Sequence, residues 1–99
     1  MNIENFKASI QEDAPPVNIS AALQALWWDA KGDWKRAHEL AQSQKDQIGA
    51  WVHAYLHRVE GDHSNAGFWY SRAERIHSKG ALDEEWHEIA GDLIKRGES

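Results

Sequence analysis

Apolar residues recur every three or four positions along this chain and almost nowhere on alternate positions, which predicts helices and no sheet. Ile3, Phe6 and Ile10 predict a short first helix, ended by Pro15-Pro16, because proline lacks the amide N–H and restricts its predecessor. Ile19, Leu23, Leu26, Trp27 and Ala30 form the next stripe, broken at Gly32-Asp33. Trp34, Ala37, Leu40 and Ala41 make a third helix. Ile48, Val52, Tyr55, Leu56 and Val59 make a fourth, broken at Gly61-Asp62. Ala66, Trp69, Tyr70, Ala73 and Ile76 make a fifth. Beyond Ser78-Lys79-Gly80, the stripe Trp86, Ile89, Ala90, Leu93, Ile94 predicts a last helix, with Asp83 as its cap and Glu84 and Glu85 at its positive end.

A shift of 29 residues superposes the middle of the chain on itself. Gly32-Asp33 falls on Gly61-Asp62, Ala37 on Ala66, Ala25 on Ala54, Leu23 on Val52 and Ile19 on Ile48. Each unit therefore reads helix, Gly-Asp, helix. Glycine can take the left-handed conformation that ends a helix, so Gly61 is expected at positive φ. Aspartate can accept the first free N–H groups of the following helix. A turn this short makes the two helices antiparallel neighbours.

The pattern resembles the tetratricopeptide repeat and its Sel1-like relatives. Small residues in the first helix (Ala25, Ala54), the Gly32-Asp33-Trp34 turn with Ala37, and Ala66, Trp69, Tyr70 and Ala73 in the second unit carry the resemblance, over residues 19–77. The 29-residue spacing is shorter than the family's ~34. His63 stands where an aromatic is usual, and no proline closes either unit. The whole chain also resembles a small, uncharacterised bacterial family, which implies no function. The expected fold is all-α, with about six helices in a single domain over 1–99. It comprises an N-terminal segment (1–17), repeat 1 (18–45), repeat 2 (46–79) and a C-terminal capping helix (83–97). The resemblance implies an extended peptide held in a concave groove. The amide clamp that some relatives use for a terminal carboxylate does not carry over, because Trp51 and Tyr55 occupy the first helix of the second unit.

Composition narrows the function classes. Cysteine is absent, so no disulfide, thiolate zinc site or cysteine nucleophile is available. The net charge of −5 leaves no basic stripe for nucleic acid. No apolar run approaches a membrane span, and the acidic N-terminus is unlike a signal peptide, so a cytoplasmic protein is expected. Six tryptophans can anchor a small core, each removing about 150–250 Å² from water.

Two candidate chemistries remain. His53 and His57 are four apart and share a helix face, as zinc ligands often do. A third ligand would have to be His63 or Glu60, and His63 lies past the Gly61-Asp62 reversal. Packed, neutral histidines are therefore expected, with no metal site, no cofactor and stability that falls below pH ~6.5. His38-Glu39-Leu40-Ala41-Gln42 and His87-Glu88-Ile89-Ala90-Gly91 begin like zinc-protease motifs but lack the second histidine. Separately, Trp51, Tyr55, His57, Arg58, Phe68 and Arg72 combine the residue types that dominate protein interfaces, and they are the candidate partner-binding set. The leading expectation is a non-catalytic module that binds a protein or peptide. The alternatives are a small metal-dependent protein or enzyme using His53, His57 and Arg58, and a structural subunit of a homodimer.

Overall fold

The computed structural model describes residues 1–98 and is all-α. Its helices are α1 (Ile3–Ser9), α2 (Ala21–Ala30), α3 (Trp34–Ser43), α4 (Gln47–Glu60), α5 (His63–Ala73) and α6 (Leu82–Lys95). Local chemistry explains most of the boundaries. The side chains of Asn2, Ser20, Asp33, Asp46 and Asp62 each accept a free N–H in the first turn of α1 to α5. No helix is long and apolar enough to cross a membrane among the described residues.

α2–α3 and α4–α5 are hairpins, and their turns repeat bond for bond. Gly32 and Gly61 both have φ 88°. The N–H of Asp33 donates to the Trp28 carbonyl and that of Asp62 to the His57 carbonyl, both at 2.9 Å, and the two bonds lie 29 residues apart in the sequence. These bonds close the helix ends in the Schellman manner. Asp33 and Asp62 then cap α3 and α5 through Arg36 and Asn65.

α4 lies at the centre, packed against α2, α3, α5 and α6. Gly49 to His57 are buried without interruption. A helix enclosed on every side has no solvent face, so a single apolar stripe underdescribes it. Gly49 permits the tight entry to α4, since a Cβ there would sit 1.9 Å from the Gln44 carbonyl oxygen.

Three boundaries depart from the sequence pattern. α1 ends at Ser9, with Ile10 as its C-cap, well before the prolines. α5 ends at Ala73, where Glu74 takes φ 58°, and Ile76 is 94% exposed rather than part of the stripe. That early stop lets Arg75 turn back over the Trp51 ring, 3.5 Å from its centroid. α6 begins at Leu82, and its N-cap is Ala81, which offers no side-chain acceptor; Asp83 lies inside the first turn instead of capping it. Glu85, expected only as a favourable charge at the helix start, is buried and bound by two donors.

A cap that follows the second repeat is expected to pack its Trp86, Ile89, Leu93 and Ile94 face on that second hairpin. Trp86, Ile89 and Leu93 are buried and Ile94 partly so, but α6 lies across α2 and α4, the first helices of both hairpins, with α1 on its other side. Trp86 donates to the Leu26 carbonyl at 2.9 Å and stacks on Phe6. The chain end is tied back to the first hairpin: Ser20 N–H donates to the Glu98 carbonyl, and the Gln44 amide to the Glu98 carboxylate.

Candidate functional site

The six residues expected to form one binding surface lie in separate environments. Successive helix residues are 100° apart, so Trp51, Tyr55 and Arg58 share the side of α4 that meets α6, while His53 and His57 face α3. Phe68, 54% exposed, and Arg72 stand on the outside of α5, with the guanidinium 5.6 Å from the Phe68 and Trp69 ring centroids.

Arg58 is spent on a buried tie between helices. Its guanidinium donates to Glu85 at 2.5 Å and to the Gly80 carbonyl at 2.6 Å. Tyr70 OH donates to the other oxygen of Glu85 at 2.5 Å. Glu85 is 4% exposed, yet both of its oxygens are partnered, as a buried charge requires. Burial, then the hydrogen bond and charge of Glu85, push the Tyr70 hydroxyl pKa up. The triad joins α4, α5 and α6 and occupies the Arg58 guanidinium with Glu85 and Gly80.

The histidines do converge, with a different third member. His38 of α3 meets His53 and His57 of α4, and each of the three offers a ring nitrogen within 4.8 Å of the other two. His63 is exposed at the start of α5 and belongs to no such group among the described residues. His53 is 3% and His57 6% exposed, while His38 is half-buried. Each ring is oriented by a neighbour. His38 stacks on Trp34 (4.8 Å, 13°) and His53 on Trp69 (3.9 Å, 17°). His57 Nδ1 lies 2.9 Å from Glu60 Oε1, the one side-chain hydrogen bond of the cluster among the described residues. The Trp34 indole is itself held by donation to the Leu56 carbonyl at 2.7 Å. Burial, then the neighbouring charges of His38, His57 and Lys45, lower the His53 pKa to about 4. Burial and His57 lower that of His38. One sequence signal pointed to His38: it lies one turn beyond Trp34 and so shares its face.

A cavity of about 930 Å³ opens on the opposite side of α4, where the C-terminal ends of α2 and α4 meet the start of α6. Ile10, Ala30, Val59, Leu82 and Trp86 give it apolar walls. Its polar floor is a pair, Tyr55 OH donating to Asp29 Oδ2 at 3.1 Å. Burial raises the Asp29 pKa against the opposing effect of the Tyr55 hydrogen bond. Burial and the Asp29 charge raise that of Tyr55. Asp83, Glu84 and Lys7 stand at the rim. Of the candidate set only Tyr55 lines this cleft, and Asp29 was not singled out by any sequence pattern. The chain matches no protein-family model, no curated protein and no solved structure.

Proposed function

We propose that this chain is a non-catalytic, tetratricopeptide-like module of the cytoplasm that holds a protein or peptide segment in the cleft floored by Tyr55 and Asp29. The observation that carries the reading is where the cleft lies. In a hairpin array the groove runs along the first helices of the units, here α2 and α4. α6 covers most of that face, and the cleft is the part it leaves open. Apolar walls around a small polar pair suit a side-chain anchor.

Charge selects the occupant. Asp29, Asp83 and Glu84 face Lys7 alone, and the carbonyl ends of α2 and α4 add negative potential. The fitting ligand is a segment that places an aliphatic or aromatic side chain beside a lysine, an arginine or a free amino terminus. The test is titration with short peptides of that composition, followed by the indole and phenol signals of Trp86 and Tyr55. Binding that weakens with salt and in Asp29→Asn with Glu84→Gln supports the reading. Peptides of either charge binding equally, or none binding, would refute it. Concentration-dependent self-association that buries Trp86 would instead identify a second copy of the chain as the occupant and favour the homodimer.

A further inference from the structure

We propose that His38, His53 and His57 form a three-histidine site for a divalent transition-metal ion of the zinc class, with one coordination position left open. Two imidazoles on one helix bind such an ion weakly. A usable site takes a third ligand and neighbours that fix the rings. α3 supplies the third ligand by crossing α4 at His38.

The spacing is close to that of a bound site. Nitrogens ~2.0–2.1 Å from a tetrahedral ion lie roughly 3.3 Å apart, with ring centroids about 5 Å apart. Here the centroids are separated by 4.5 Å (His38–His53), 4.9 Å (His53–His57) and 5.3 Å (His38–His57). The ring nitrogens, within 4.8 Å of one another, close to the bound distance by small side-chain rotations, most easily by half-buried His38.

The orienting shell is already built. Glu60 on Nδ1 of His57 leaves Nε2 with the lone pair, the carboxylate–histidine arrangement that raises ligand basicity. Trp34 and Trp69 hold the other two rings. A packing role alone accounts poorly for this choice of residues. Leu or Phe would fill the same space, whereas His38 and His53 bring ring nitrogens, and no buried side-chain nitrogen is left without a partner among the described residues, so their unbonded nitrogens still reach solvent and an incoming ion. His38 and His53 make no side-chain hydrogen bond among the described residues, so their lone pairs are free. His53 also lines a cleft of about 360 Å³ with Lys45, Gln47 and Arg72, which gives an ion a path inward. The donor set is three neutral nitrogens with no thiolate, which suits zinc, copper, nickel or cobalt and not magnesium or calcium. Three protein ligands leave the fourth position to water or to a donor from outside the chain. The site lies across α4 from the Tyr55–Asp29 cleft, and neither reading depends on the other.

The test uses the whole chain, freed of metal by a chelator. Cobalt(II) should produce the visible bands of a tetrahedral site at one equivalent, and zinc should abolish them. Equimolar zinc should raise the melting temperature. His38→Ala removes a half-exposed ring at the edge of the core, so it should fold and lose both effects. Glu60→Gln should weaken the metal ~10–100-fold. His63→Ala should change nothing. Wild-type protein that neither colours with cobalt nor melts higher with zinc overturns the proposal. So does a response that survives His38→Ala or disappears in His63→Ala.

Discussion

Glu85 shows how one buried carboxylate can set the character of its neighbours. Two donors from α4 and α5 reach it, and Arg58 has no other carboxylate within bonding distance among the described residues. Glu85→Ala leaves a guanidinium buried without its counter-ion, and breaking such a pair typically costs ~3–5 kcal/mol. Urea denaturation should show a loss of that size. Replacing Arg58 and Glu85 together by Met and Leu should cost far less, because neither charge is then stranded. An exposed Arg58 serving only a partner would give ~0–1 kcal/mol for the same single change, and that result would contradict the buried triad.

The histidines make a second prediction at this scale. His53 has a folded pKa of about 4, below its unfolded value of ~6.5, and His38 is shifted the same way. Between those values the unfolded chain binds more protons than the folded one, so stability falls as pH drops through the window. The groups facing His53 are His38 and Lys45 from the α3 side, His57 on its own helix and Trp69 from α5. Asp29 acts in the opposite sense: its carboxyl pKa is raised, and protonating it relieves a buried charge. Without metal, the denaturation midpoint should therefore drop between pH 7 and pH 5, less steeply in His53→Gln. Equal stability at both values would mean that water solvates these rings.

At the scale of the helix, what the sequence revealed was decided within a few residues. Gly32-Asp33 and Gly61-Asp62 act through their own backbone: a left-handed residue that closes one helix and a carboxylate that opens the next. Open space surrounds both glycines, so Gly61→Ala and Gly32→Ala should each cost ~1 kcal/mol from backbone strain alone. Gly49→Ala should cost more, since its Cβ meets the Gln44 carbonyl. Thermal melts of the three variants check that order, and a milder effect at Gly49 would contradict the tight entry to α4. Features set by contacts between distant segments were not legible. His38 looked like part of a failed protease motif until α3 was laid on α4. Phe68 and Trp51 stand together in the candidate partner-binding set, yet one is exposed and the other lies buried under Arg75. Glu85 at the start of α6 is bound by Arg58 and Tyr70 from two other helices, and nothing in its immediate sequence records that.

For the whole molecule, the decisive relation is between α6 and the two hairpins. An array of two units has a long apolar face and little else to cover it, and the chain supplies its own helix for that purpose. Trp86, Ile89 and Leu93 enter between α2 and α4, Phe6 closes over Trp86, and Glu98 binds back to Ser20 and Gln44 at the other end. Deleting residues 82–99 removes all of these contacts and also strands Arg58. The shortened chain should lose its cooperative melting transition and bind a dye that reports exposed apolar surface. A synthetic peptide of residues 82–98 added in trans should restore the transition, because the face it covers is built from α2 and α4 and does not depend on chain continuity. Stabilisation should grow with peptide concentration as mass action requires. The same peptide with Trp86 and Ile89 changed to Ala should fail. A shortened chain that melts as sharply as the full one would show that the hairpins cohere through α3 and α5 alone. The α2–α4 face would then be a surface the molecule can expose at no cost, and α6 a movable occupant of the groove rather than part of its wall.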